Sequence, residues 1–286
     1  MSYESLEEFV DSHPRLLVLS GAGCSTASGL PDYRDPSGGW KRTSRPMMFQ
    51  AFIGDPDGRR RYWARSLAGW RRFRRARPND AHRALARLEA SGRIELLVTQ
   101  NVDGLHQAAG SRRVVDLHGR LDVVRCLGCD RTIPRDDVQR ELLRLNPAFA
   151  DADAADAPDG DADLDGIDFA SFEVPDCARC GGLLKPDVVF FGEGVPRPRV
   201  ARAMRALERA DALLVVGSSL MVLSGYRFVR AAAAAGKPVG ALNLGRTRAD
   251  DLLAFKAEAD CCAGLAFALT RGDRLPAAGC GGLRAR

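Results

Sequence analysis

The chain has little of several features that would define its class at once. No stretch of its 286 residues approaches about 18 uninterrupted apolar positions, so the sequence predicts no transmembrane helix. The segment Met1 to Asp11 is acidic and lacks both the basic and apolar parts of a secretory leader and the arginines of a transit peptide. We therefore expect a cytoplasmic protein that has no membrane partner.

The net charge of +5 is small, but the charges are unevenly distributed. Nine arginines fall within residues 59–77, among aromatic side chains, and such a pattern can bind nucleic acid. Trp63, Leu67 and Trp70 instead fit one apolar stripe of a helix whose arginines face solvent, and for this reason we expect no specific nucleic-acid partner. An aspartate-rich tract at 150–168 has no periodicity and predicts a disordered loop.

Eight cysteines in a chain without a leader are expected to stay reduced, so clustered cysteines indicate metal or redox chemistry. Two C-x2-C pairs occur, and two such turns complete a tetrahedral site of four thiolates. A thioredoxin-like redox pair is the alternative for one pair alone. A full thiolate shell leaves no position open for substrate, so we predict one structural Zn²⁺ held by Cys126, Cys129, Cys177 and Cys180.

Short apolar runs alternate with helical patterns, which is typical of a parallel sheet covered on both faces. This arrangement predicts an α/β fold, a variant Rossmann sheet with helices on both sides. The predicted strands are Leu16–Ser20, Ile94–Thr99, Val114–Leu117, Leu213–Val216 and Val239–Leu242. The predicted helices are Asp80–Ala90 with Asp80 as N-cap, Arg199–Ala210, Arg227–Ala235, and a short one through Val138 and Leu142 that stops before Pro147.

Polar or glycine residues follow each predicted strand, at the sheet edge where ligands bind in such folds. Gly21-Ala22-Gly23 after the first strand is either a tight turn or a phosphate site, and no acidic residue stands where a standard dinucleotide motif requires one. His118, one of only four histidines, follows another strand. It is either a buried structural residue or a general base that acts near neutral pH.

Several sequence blocks in a fixed order resemble the sirtuin family, from about residue 5 to 270. They are GAGCSTASGLPDYR (21–34), ARPNDAH (76–82), TQNVDGLH (99–106), LHG (117–119), CLGC (126–129), CARCGGLLKPDVVFFGE (177–193), VVGSSLMV (215–222) and NLG (243–245). LNPAF (145–149), SGYRF (224–228), GRTRADDL (245–252) and the long spacer between the cysteine pairs resemble the class II subgroup, which has many bacterial members.

The resemblance implies an NAD-dependent protein-lysine deacylase that acts on acyl-lysine proteins, transfers the acyl group to ADP-ribose and releases nicotinamide. A protein ADP-ribosyltransferase with the same NAD site is the alternative. His118 would be the base and Asn101 would orient ribose and a water. The other NAD contacts implied are Ala22, Gly23, Ser25, Asp32, Tyr33, Arg34, Gln100, Asp103, Gly217, Ser218, Ser219, Asn243, Leu244, Gly245 and Cys262. Val189, Phe190, Phe191 and Gly192 would pair with the substrate peptide as a strand.

We expect a single catalytic domain in which other parts are inserted into a Rossmann-like unit. The Rossmann-like part would comprise residues 1–41, 80–122 and 183–286. A helical cofactor-binding segment would span 42–79, and the zinc module 123–182. The cofactor cleft would lie between these parts.

Overall fold

The computed structural model describes residues 4–32, 46–150, 155–156, 162–163 and 169–270. Its strands are β1 Leu16–Ser20, β2 Ile94–Thr99, β3 Val114–Asp116, β4 Gly119–Cys126, β5 Thr132–Pro134, β6 Ala155–Asp156, β7 Ala162–Asp163, β8 Leu184–Val188, β9 Ala212–Val216, β10 Val239–Leu242 and β11 Phe255–Ala257. Its α-helices are α1 Leu6–Ser12, α2 Phe49–Gly54, α3 Pro56–Phe73, α4 Asp80–Ala90, α5 Leu105–Ala108, α6 Arg135–Leu145, α7 Arg197–Arg209, α8 Leu223–Ala234, α9 Cys261–Gly264 and α10 Ala266–Thr270.

The main sheet confirms the predicted fold class. Six strands lie in the order β11-β10-β9-β1-β2-β3, and every pairing between them is parallel. Phe9 of α1 and Leu85 of α4 pack in the core on one face, whereas Ala203 of α7 and Phe228 of α8 pack in the core on the other. All five residues of β1 are buried because helices cover both faces.

A second, antiparallel sheet has the order β5-β4-β8 and shares a core with α3 and α6. Trp63, Leu67 and Trp70 are buried on one stripe of α3, as their spacing predicts. The guanidinium of Arg135, also buried, lies 5.4 Å from the ring centre of Trp63 and 5.1 Å from that of Trp70. This core joins the arginine-rich helix to the part of the chain that carries the cysteine pairs.

Several boundaries differ from the predictions. The prediction of Asp80 as N-cap is wrong: Asn79 caps α4, because its side chain accepts hydrogen bonds from the N–H groups of Ala81 and His82. Helix α8 begins at Leu223, four residues before the predicted start. Strands β4 to β8 and β11 were not predicted, because they lack the apolar runs by which the other five were found. Strand β4 crosses the predicted domain boundary at residue 122. That domain division stays a prediction.

The aspartate-rich tract lies largely outside the described residues, which include only the short antiparallel pair β6–β7 within it. Within the described ranges, no helix is both long enough and apolar enough to cross a bilayer.

Candidate active site

Residues that follow three neighbouring strands of the main sheet wall one cavity of about 620 Å³. Gly21 follows β1, Gln100 follows β2 and Gly217 follows β9, so the parallel register brings all three to the same edge. The segment after β8 and the start of α8 close the cavity from the other side. Its volume is in the range of small-molecule sites, about 300 to 1,000 Å³.

The cavity collects most of the residues that the sequence assigned to cofactor and substrate. Those that line it are Ala22, Gly23, Ser25, Asp32, Gln100, Asn101, Asp103, His118, Val189, Phe190, Phe191, Gly192, Gly217, Ser218, Ser219, Asn243 and Leu244. Gly245 and Cys262 do not line it. The N–H of Cys262 instead donates to Oδ1 of Asp260, the N-cap of α9. Tyr33 and Arg34 lie outside the described residues.

The loops after β1 and β9 meet at the cavity floor, and their glycines are packed too closely to carry a Cβ atom. A Cβ atom on Gly21 would lie 2.7 Å from Cβ of Ser218, and one on Gly23 would lie 3.0 Å from the carbonyl oxygen of Gly217. Gly217 itself has a φ of +60°, and a Cβ there would lie 2.3 Å from the backbone nitrogen of Cys24. Bare backbone at this edge lets a ligand approach closely, as phosphate groups require.

The Ser25 hydroxyl joins Asp103 and Asn101 in one hydrogen-bond network. Its Oγ donates to Oδ2 of Asp103 over 2.7 Å and accepts from Nδ2 of Asn101 over 3.0 Å. Asn101 also donates to the carbonyl oxygen of Gly21 over 3.1 Å. Burial raises the pKa of Asp103, although hydrogen bonds from the Leu105 N–H and from Ser25 oppose that shift. The network fixes an amide and a carboxyl group against the cavity wall.

The His118 imidazole reaches the cavity in a defined tautomer. Its Nδ1 lies 3.0 Å from the carbonyl oxygen of Gln100, and because a carbonyl can only accept, Nδ1 carries the hydrogen. Nε2 therefore presents a lone pair, to which the Ser224 hydroxyl donates over 2.7 Å. Burial lowers the pKa of His118 to about 4, so the ring is neutral near pH 7.

Gln100 is held by contacts on both sides. Its Nε2 donates to Oγ of Ser218 over 2.7 Å, which links the ends of β2 and β9. A Cβ atom on Gly225 of α8 would lie 2.5 Å from the Gln100 side-chain oxygen, so a larger residue there would displace the Gln100 amide. Ser224 and Gly225 belong to the block SGYRF, which served only to indicate a subgroup. The sequence reasoning therefore missed their contacts with His118 and Gln100.

The predicted peptide-binding segment is not part of a strand in this structure. Strand β8 ends at Val188, and the N–H of Val189 donates to the carbonyl oxygen of His118 over 2.7 Å. The carbonyl oxygen of Phe191 accepts from the N–H of Phe49 over 2.9 Å. Pairing with a peptide stays a prediction.

Two charged residues that sequence reasoning missed hold the turn after β8. The buried Nζ of Lys185 lies 3.1 Å from Oε2 of Glu193, and the same oxygen accepts from the N–H of Phe190 over 2.9 Å. The pair therefore fixes the turn at residues 189–193, which lines the cavity and is bonded to the His118 carbonyl through Val189.

The four cysteines of the two C-x2-C pairs lie together, as predicted, with all their sulfur atoms within 4.8 Å of one another. Sγ of Cys126 lies 3.5 Å from that of Cys180, and Sγ of Cys129 lies 3.9 Å from that of Cys177. A tetrahedral ion with Zn–S bonds of about 2.3 Å requires sulfur separations of about 3.8 Å, so the cluster fits one structural zinc. The N–H of Gly128 donates to Sγ of Cys126 over 3.3 Å.

The parallel sheet, the glycine-lined cavity at its carboxyl edge and the four-thiolate module together define a nucleotide-binding α/β protein with a structural zinc. A sequence profile described as the Sir2 family matches residues 21–224. The chain belongs to this family, the sirtuins.

Curated relatives match nearly the whole chain. It is 66% identical over 263 residues to an "NAD-dependent protein deacetylase" of Xanthomonas campestris pv. campestris (strain 8004), which covers 92% of this chain and 89% of the relative. It is 64% identical to "NAD-dependent protein deacetylase 2" of Bradyrhizobium diazoefficiens, over 94% of this chain and 98% of the relative.

Among solved structures, "Sir2-p53 peptide-NAD+" superposes with a TM-score of 0.74 at 29% identity, covering 94% of this chain and 98% of that one. "Structure of Sir2Tm bound to a propionylated peptide" gives a TM-score of 0.72 at 29% identity, covering 92% and 97%. These neighbours confirm the fold class and support a site for a dinucleotide and an acylated peptide.

Proposed function

We propose that the chain is an NAD-dependent protein-lysine deacylase that transfers the acyl group of a modified lysine to ADP-ribose and releases nicotinamide. The observation that carries the proposal is a neutral His118 whose Nε2 lone pair reaches a cavity with a glycine-lined floor. The names of the bacterial relatives support the same activity.

Bound NAD would supply the electrophilic ribose carbon from which nicotinamide departs. In this proposal the cavity floor at Gly21–Gly23 and Gly217–Ser219 accepts the phosphates and adenosine, together with Asn243 and Leu244. Asp103 holds the nicotinamide carboxamide, and Asn101 orients ribose and a water. Asp32, Tyr33, Arg34, Gly245 and Cys262 keep their predicted place around the cofactor as part of the same proposal.

His118 would take a proton from a ribose hydroxyl through Nε2. Nδ1 is already committed to the Gln100 carbonyl, so Nε2 is the only ring nitrogen that can act as base. General-base catalysis of this kind contributes a factor of about 10² to 10⁴ in rate. The Ser224 hydroxyl must leave Nε2 first, because that nitrogen has one lone pair.

The acyl-lysine protein would bind as an added strand along Val189–Gly192, where backbone hydrogen bonds give affinity with little choice of sequence. We also place the protein in the cytoplasm and assign it no nucleic-acid partner. The burial of the α3 stripe supports the second point: Trp63 and Trp70 pack in the core, so they cannot stack on bases.

The test is nicotinamide release from NAD with a panel of acyl-lysine peptides. We expect His118→Ala to lose at least about 10²-fold in turnover. His13→Gln, which changes a buried histidine whose Nδ1 lies 2.7 Å from the Phe9 carbonyl oxygen, serves as control and should retain turnover. Full turnover by His118→Ala would overturn the assignment of the base. Mass spectrometry distinguishes O-acyl-ADP-ribose from an ADP-ribosylated protein, the product of the alternative activity.

A further inference from the structure

A second group of metal-binding side chains lies beneath the cavity wall, apart from the four cysteines. Cys24 belongs to the 3-10 turn Ala22–Cys24 after β1, His82 to α4 and His106 to α5. One sulfur and two ring nitrogens from these residues lie within 4.8 Å of one another, and all three residues are buried. Three separate elements thus bring a thiol and two imidazoles to one point in the core.

The His82 ring has its lone pair on Nε2. Its Nδ1 lies 2.9 Å from Oδ1 of Asn79, an acceptor, so Nδ1 carries the hydrogen; the N–H of Asn79 is farther away, at 3.3 Å. The Ser25 hydroxyl lies 3.4 Å from Nε2, but its hydrogen is donated to Asp103 over the much shorter 2.7 Å contact. Nε2 is therefore available to a metal ion.

The His106 ring makes the same arrangement with its nitrogens exchanged. Its Nε2 lies 2.8 Å from Oγ of Ser20, while its Nδ1 is fully buried and forms no hydrogen bond within the described part of the chain. A buried polar nitrogen without a partner is destabilising, so a ligand that accepts its lone pair would relieve that cost. A histidine that binds metal through one nitrogen and hydrogen-bonds through the other has this pattern.

The ligand positions are fixed by the surrounding structure. Asn79 donates from Nδ2 to the carbonyl oxygen of Cys24 over 2.9 Å while its Oδ1 accepts from His82, so one side chain holds two of the three groups. The rings of His82 and His106 pack edge to face with centres 4.8 Å apart. Metal bonds of about 2.0 to 2.3 Å require ligand atoms roughly 3 to 4 Å apart, and the three ligand atoms already lie within 4.8 Å of one another.

We propose that Cys24, His82 and His106 form a second metal site, which takes a borderline divalent ion such as Zn²⁺ or Co²⁺. One thiolate and two imidazoles are a donor set that these ions prefer. As the bond from Sγ to the metal forms, the Cys24 thiol releases its proton to solvent, and both imidazoles bind as neutral ligands. Three protein ligands leave a fourth position, which water or the Ser25 hydroxyl fills.

The test is a Co²⁺ titration of the full chain with the four-cysteine cluster already loaded with zinc. We expect one equivalent of Co²⁺ to bind, with visible d–d bands and a near-ultraviolet charge-transfer band from a single thiolate. Zinc content measured in parallel should stay at one per chain, which shows that cobalt has not displaced it. Cys24→Ser should lose the charge-transfer band.

Cys261→Ser is the matched control, because Cys261 is also buried in the same core but belongs to neither metal-binding group. This variant should keep the band. A wild-type chain that shows no stoichiometric Co²⁺ spectrum would overturn the proposal, whether or not Cys24→Ser folds. A band that persists in Cys24→Ser, or that appears only as zinc is released, would overturn it too.

Discussion

Nε2 of His118 lies 2.7 Å from Oγ of Ser224, the second residue of α8. The two residues are 106 positions apart in the chain. The serine hydroxyl donates to the one lone pair that the proposed base uses. Binding of the ribose must therefore break a hydrogen bond that already exists.

Ser224→Ala should bind NAD more tightly than the wild type. A hydrogen bond of about 1 kcal/mol that no longer has to be broken corresponds to a fivefold lower Kd. Turnover should be retained, because the serine is displaced before the proton moves. Calorimetric NAD titration and steady-state assays measure both. A loss of turnover as large as that of His118→Ala would show instead that Ser224 takes part in the proton transfer.

His118 should make the fold sensitive to acid. Its pKa is lowered by burial from 6.5 to about 4, so between these values the unfolded chain binds more protons than the native one. The free energy of unfolding therefore falls as the pH falls from 6.5 towards 4, because protonation of the histidine favours the unfolded chain. Between pH 7.5 and 5, the wild type should lose about 1 to 2 kcal/mol more than His118→Gln. Urea unfolding at both pH values measures this difference, and equal losses would contradict it.

Gly225→Ala should weaken NAD binding even though alanine suits a helix better than glycine. The new Cβ would lie 2.5 Å from the Gln100 side-chain oxygen and force it away from Ser218. Overpacking of this kind costs about 1 to 3 kcal/mol of stability. We also expect a raised NAD Kd, because Gln100 leaves the position from which it would contact the ribose. Gly54→Ala is the control, since a Cβ there meets no atom within 4 Å. Unchanged NAD affinity in Gly225→Ala would mean that Gln100 makes no contact that matters.

Cys177→Ser should reduce zinc content by one per chain and lower the Tm of the whole protein. The four sulfur atoms surround one point, and a structural site does not tolerate the loss of a ligand. Metal analysis and thermal unfolding check both effects, with Cys261→Ser as the control that leaves zinc content unchanged. Retention of zinc with an unaltered Tm would contradict the structural assignment.

The fold was predictable where burial is complete. Strands β1 and β9 are buried along their whole length and appear in the sequence as unbroken apolar runs. Strand β4 was missed because Arg120, Asp122 and Arg125 interrupt its apolar residues, and β8 because it contains Pro186 and the buried Lys185. Short strands at the edge of a core carry no periodicity long enough to recognise.

The candidate site divides in the same way. Its glycine loops and His118 stand directly after strands, where the fold class itself predicts ligand residues. Ser224 and Gly225 act through His118 and Gln100, which come from distant elements, so only packing brings these pairs together. His82 and His106 were equally hidden, since Cys24 joins them from a third element and no spacing between the three is characteristic.

Strand β4 begins directly after the proposed base, His118, and ends at a predicted zinc ligand, Cys126. β4 runs from Gly119, directly after His118, to Cys126, and it pairs with β8 from Val188 at one end to Leu184 at the other. The zinc ligand and the imidazole are thus attached to opposite ends of one eight-residue strand, whose pairing with β8 is interrupted between Arg120 and Val124. Removal of zinc should therefore increase the fluctuation of the His118 ring in the cavity before the protein unfolds globally. Imidazole line widths in NMR spectra would report that change.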